Sequence, residues 1–100
     1  MKTYRPLPDY LTVYSSDIDG LGLFAKEEIF ANFEIGITHY NLWDRLVRTP
    51  LGGFINHSED PNCQLIRRER ISYLKTIKEI KSGEELTLKY ETYEVMQWHT

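Results

Sequence analysis

"FINHSEDPN", Phe54 to Asn62, crowds amide, imidazole, hydroxyl, carboxyl and proline groups into nine positions. A globular core needs no such density of polar groups. Three ordinary explanations compete. His57 as a base beside Ser58 as a nucleophile is a poor fit, because adjacent side chains point apart and no elbow motif surrounds the serine. A metal held by His57, Glu59 and Asp60 has no strong ligand spacing behind it, and His39 and His99 have no evident reason to join. A structural turn fits best: Asp60-Pro61-Asn62 is good turn chemistry, and Asn56 can cap its own backbone. Taken alone, the loop reads as that turn.

Working outward, most flanking segments have a strand period. Tyr10–Ser16, "YLTVYSS", is rich in aromatic and β-branched residues and ends in the turn-forming "SDIDG". "FEIGITHY" alternates, with Phe33, Ile35, Ile37 and His39 expected on one side of a half-buried strand. "RISYLKTIKEI", 70–80, is a further extended run. "KSGE" then turns into "ELTLKY", which sets Leu86, Leu88 and Tyr90 on one face and Thr87 and Lys89 on the other. One helix is expected, over "NLWDRLVRTP": Asn41 as N-cap, Asp44 three residues on, Leu42, Trp43, Leu46 and Val47 in a stripe, and Pro50 as the stop. The expected architecture is mainly β, with short strands and one short helix.

Composition sets the outer bounds. One hundred residues support one modest core, so a single domain over 1–100 is expected. Seven Tyr and two Trp mark a folding chain, and a net charge of −3 argues against nucleic acid as the main partner. The basic run Arg67, Arg68, Glu69, Arg70 reads first as a solvated hairpin face and second as a dock for an acidic surface. Cys63 is alone, which excludes an internal disulfide and a thiolate zinc cluster and points to a reducing compartment. No apolar run approaches the roughly 20 residues of a membrane span, and "MKTYRPLPDY" has no apolar signal core. A soluble, intracellular protein is expected.

"GLGLFA", 20–25, formally fits a dinucleotide fingerprint ending in Ala, but its context does not. Polar "SSDID" precedes it where a buried strand belongs, and the residues after it soon return to a strand pattern. Two glycines one residue apart require either a positive-φ turn or a close backbone approach.

The ordered set "GLGLFA", "FINHSEDPNC" and "GEELTLKY" resembles the motif series of SET-domain protein lysine methyltransferases, with the central motif carrying most of the specificity. The resemblance spans about residues 11 to 93. It implies the SET (β-clip) fold of short curved sheets around a knot-like threaded core. It also implies transfer of methyl groups from S-adenosyl-L-methionine to the ε-amine of a protein lysine, on a histone or another protein. Carried over residue by residue, Asp19, Gly20, Leu21 and Gly22 lie against the methionyl end of the cofactor. Asn56 grips its amino-acid end, and the backbone of His57 pairs with the adenine edge. Tyr90 matches the catalytic tyrosine. Leu88 matches a position affecting how many methyls are added, and Tyr93 is a candidate lining of the lysine channel. Glu84 and Glu85 are expected to serve folding and charge pairing.

Departures from the family pattern narrow the resemblance. Many members carry a zinc-binding Cys where this chain has Glu59, together with a Cys-rich segment that is absent here. The likeness is therefore to stand-alone viral or bacterial members, which close the site with a few C-terminal residues; Trp98 and Met96, within a flap of 94–100, are the candidates. Little recognition surface remains, which by family analogy suggests a homodimer. The competing reading is a catalytically weak SET-like module that binds cofactor or peptide without turnover.

Overall fold

The turn chemistry after "YLTVYSS" folds the chain back on itself. β1 (Leu11–Ser15) and β2 (Leu21–Ala25) pair antiparallel, with Leu11 opposite Ala25 and Ser15 opposite Leu21. The Ser16 N–H donates to the Gly20 carbonyl at 2.8 Å, and Gly20 takes φ +45°, a left-handed conformation open to glycine at little cost. This computed structural model describes residues 7–43 and 45–89. Tyr90, Tyr93, Met96, Trp98 and the expected 94–100 flap lie outside the described residues.

Among the described residues the strands form two four-stranded sheets. In the first, β2 pairs antiparallel with β8 (Glu85–Leu88), and β8 pairs in parallel with the two-residue β5 (Asn56–His57), giving the order β1-β2-β8-β5. The second runs β4 (Arg45–Arg48), β3 (Glu34–Leu42), β7 (Ile71–Thr76), β6 (Cys63–Arg68), antiparallel throughout. Between them lies one apolar core that includes Leu23, Ile55, Leu74, Ile80 and Leu86, all buried. Among the described residues no helix is long and apolar enough to cross a membrane.

The expected helix over 41–50 is a correction. Residues 41–42 and 45–48 lie instead in the paired strands β3 and β4, with Asn41 opposite Leu46 and Leu42 opposite Arg45. Asn41 does not cap a helix; its N–H donates to the Arg70 carbonyl at 2.7 Å, within the sheet. The supposed stripe is not buried together, since Trp43 is 91% exposed while Leu46 packs against the core. A helix this short is marginal by itself, and the antiparallel pairing of β3 with β4 outweighs its local signals. The helix that does form is α1 (Pro50–Phe54). Pro50 begins it rather than ending one, because the first helical position has no N–H partner to lose. Thr49 caps it, accepting from Gly52 N–H while its own hydroxyl donates to the Ile37 carbonyl at 2.6 Å.

The strict alternation expected for "FEIGITHY" is also corrected. Register irregularities between Glu34 and Gly36, and between Ile37 and His39, shift the pleat. Consequently Thr38 and His39, adjacent in sequence, are both fully buried. In β8 the two faces are likewise both covered: Leu86 and Leu88 are buried, and so is Thr87. The strand is central, with neighbours on each side. "RRER" is the β6–β7 hairpin, turned at Glu69 (φ +56°), with Arg68 Nη2 2.7 Å from Glu34 Oε1 across a half-exposed face.

Candidate functional site

The site is built where β5 runs alongside β8. Asn56 lies opposite Thr87 and His57 opposite Leu88 in parallel register, and Ser58 N–H extends the ladder to the Leu88 carbonyl at 2.9 Å. So short a strand needs further fastening, and Asn62 provides it. Its Nδ2 donates to the Glu85 carbonyl at 2.8 Å, its Oδ1 accepts from Thr87 N–H at 2.8 Å, and its own N–H reaches Thr87 Oγ1 at 3.3 Å. One side chain thus copies the edge of a peptide against β8. The chain bends through "EDPN", with Asp60 N–H donating to Ser58 Oγ at 3.1 Å, yet its asparagine serves the strand beside it.

Asn56 projects from this junction towards the β1–β2 turn. Its Nδ2 faces four acceptors: Glu85 Oε2 at 2.9 Å, Ser16 Oγ at 3.1 Å, the Asp19 carbonyl at 3.1 Å and the Leu21 carbonyl at 3.2 Å. Ser16 Oγ lies 2.9 Å from both Glu85 carboxylate oxygens, as their donor, and accepts from Ile18 N–H at 2.9 Å. An amide nitrogen has two hydrogens, so acceptors outnumber donors here. A carboxylate, a hydroxyl and two carbonyls converging on one point favour a ligand carrying an ammonium group, which brings three donors and a positive charge.

Gly22 is buried in β2 beneath this cluster. A Cβ there would overlap the Glu85 carboxylate and lie 3.1 Å from Asn56 Nδ2. The glycine is therefore required by the protein's own polar pair, a reason absent from the sequence reading. Gly20 has open space around it, and its requirement is the turn alone.

The structure brings Asp19, Leu21, Gly22 and Asn56 together. His57 is adjacent in the backbone, but its ring turns to the surface, where Nε2 lies 3.3 Å from Glu59 Oε2. Glu59 also comes within 4.0 Å of Lys89. Leu88 is buried in the core. Two members of the cluster were not singled out as site residues: Glu85, read as a charge-pairing residue, and Ser16, which sits in an ordinary turn sequence. Only their contacts reveal them, although Glu85 immediately follows the "GE" of the third motif.

Among the described residues, two buried titratable groups lie outside the cluster. Burial pushes the Cys63 thiol up to about 12, so it is protonated and unreactive at neutral pH. His39 is held down to about 4, first by burial and second by the Arg67 charge. Among the described residues no group of three His, Cys, Asp or Glu is placed to hold a metal ion.

The SET-domain family model matches residues 36–91, over half of the chain, and the chain belongs to that family. Its fold is shared with a Plasmodium falciparum protein assigned as a histone methyltransferase: TM-score 0.71, 19% identity, 87% of this chain and 98% of that one covered. The methyltransferase domain of human PR domain-containing protein 2 is similar at TM-score 0.69 and 19% identity, with 86% and 80% covered. No curated protein sequence matches.

Proposed function

We propose that this protein transfers methyl groups from S-adenosylmethionine to the ε-amine of a lysine presented by another protein. The observation that carries the reading is the acceptor-rich cluster around Asn56, at the β5–β8 junction of a SET fold. It suits the methionyl end of that cofactor, whose ammonium would be received by the Asp19 and Leu21 carbonyls and by Glu85. Asn56 would hold the same end through its amide, and the His57 backbone would meet the adenine edge. When bound, the cofactor supplies a methyl on a cationic sulfur.

The chain's own task is then positioning. Direct displacement needs amine, methyl and sulfur in line at near-attack distance. The lysine must also be neutral, and an apolar channel beside a positive charge lowers its pKa. Tyr90 is proposed to orient the amine lone pair through its hydroxyl, with Leu88 and Tyr93 lining the approach and Trp98 closing over the cofactor. The resemblance of motif order supports these roles.

Calorimetry with S-adenosylmethionine, followed by radiolabelled transfer to histone and non-histone proteins, tests the reading in two stages. Asn56→Ala should weaken cofactor binding by about tenfold or more, the loss of one charge-assisted contact. Tyr90→Phe should abolish labelling and leave cofactor affinity nearly intact. Labelling of Tyr90→Phe at the wild-type rate would remove the role given to that hydroxyl, and absence of cofactor binding by the wild type would remove the activity.

A further inference from the structure

At the other end of β2 from Gly22, the chain forms a recess of about 180 Å³ lined by Tyr10, Glu27, Glu28, Ile29, Phe30 and Phe33. The rings of Tyr10 and Phe33 meet edge to face, centroids 5.9 Å apart and planes at 77°, so they give two walls at nearly a right angle. Phe30 is 72% exposed, a large apolar ring left in water, while Ile29 is buried beneath. Glu27 and Glu28, both exposed, belong to the lining and bring acidic residues to its edge.

The walls are fixed without a ligand. Thr76 Oγ1 donates to the Phe30 carbonyl at 2.6 Å and accepts from Phe33 N–H at 2.9 Å. Thr76 also exchanges backbone hydrogen bonds with Asn32 and Phe33, and Ile29 is bridged to Ile80. A recess held open in this way binds without the cost of ordering its own walls.

Aromatic faces carry negative quadrupole charge, and carboxylates add to it, so the preferred guest is a cation. A bare ammonium keeps its water too tightly for an apolar recess. Methylation weakens that hydration and gives the cation an apolar surface that rings can surround. We propose that this recess binds the methylated ammonium of a modified lysine side chain. The cation chemistry stands on the recess itself; the choice of lysine over a small quaternary amine rests on the methyl-transfer reading. Such a site holds an already modified partner while the cluster around Asn56 serves the next lysine.

The test is a binding titration of the whole chain, without cofactor, against one peptide in unmodified, trimethyl-lysine and neutral tert-butyl isostere forms, with choline as the small-amine arm. The trimethyl peptide should bind at least tenfold tighter than the unmodified one and several-fold tighter than the isostere. Phe30→Ala removes an exposed ring and should erase that preference with the circular dichroism unchanged. Glu27→Gln with Glu28→Gln should weaken the trimethyl peptide several-fold. Equal affinity for unmodified and trimethyl peptides, or a preference that survives Phe30→Ala, overturns the proposal. Choline binding tighter than the peptide overturns the lysine assignment. Because the readout is binding alone, failure of the transfer reading would appear in the labelling assay and not here.

Discussion

Glu85 shows how a residue's role can hide in its neighbours. In "GEELTLKY" it looks like one more surface acid, yet Ser16 and Asn56 both engage its carboxylate and Gly22 makes room for it. Three separated segments therefore share one polar contact. Gly22→Ala should destabilise the fold by about 1–3 kcal/mol through overpacking. In a Glu85→Ala background the same substitution should cost much less, since the atom it strikes is gone. A double-mutant cycle by urea denaturation checks this, and additive costs would show that the carboxylate is not what excludes the Cβ. Asp19, Leu21, Gly22 and Asn56 were legible because motif order marks them. Ser16 was not, because a serine before a turn is ordinary local chemistry and its partner lies 69 positions away.

Single elements were read less well where tertiary pairing competes with local signal. Asn41, Leu42, Trp43 and Pro50 carry plausible helix marks, but the antiparallel pairing of β3 with β4 decides the outcome. β1, β3, β7 and β8 were recognised as extended runs, whereas β2 and β6 were not singled out, and the β3 bulges broke the alternation at Thr38 and His39. β5 had no strand signal at all. It exists because Asn62 secures β8 beside it. Asn62→Ala would leave the Thr87 N–H and the Glu85 carbonyl unmet in a mostly buried position. We expect a loss of roughly 2–6 kcal/mol, from two buried groups at about 1–3 kcal/mol each. Faster amide exchange at Thr87 should accompany it, measured by hydrogen exchange. Unchanged protection there would mean the side chain is dispensable to the pairing.

For the molecule as a whole, acid sensitivity should begin earlier than carboxylates alone would dictate. His39 titrates near 6.5 when unfolded and at about 4 when folded, burial being the main cause. The unfolded chain thus binds a proton that the folded one refuses. Stability from this group is complete above pH 6.5 and is lost as pH falls from there towards 4, by about 3 kcal/mol in all. Urea midpoints measured between pH 7.5 and 4.5 should decline from about pH 6.5 downward, and a flat profile to pH 5 would contradict it. Glu34, held below its ordinary range by Arg68, acts at lower pH, in the acid range of carboxylates. The mainly β class and the family resemblance were legible at this scale, since both follow from strand-rich composition and motif order. The burial of Thr38 beside His39 was not, because bulges leave no periodic trace.

The parallel pairing of β5 with β8 has a consequence for synthesis. A polar cluster joined from residues near 16, 56 and 85 cannot assemble on a nascent chain before β8 has emerged. Fragments from stalled translation or proteolysis that lack β8 would therefore lack the cluster as well, however much of the chain before it they keep.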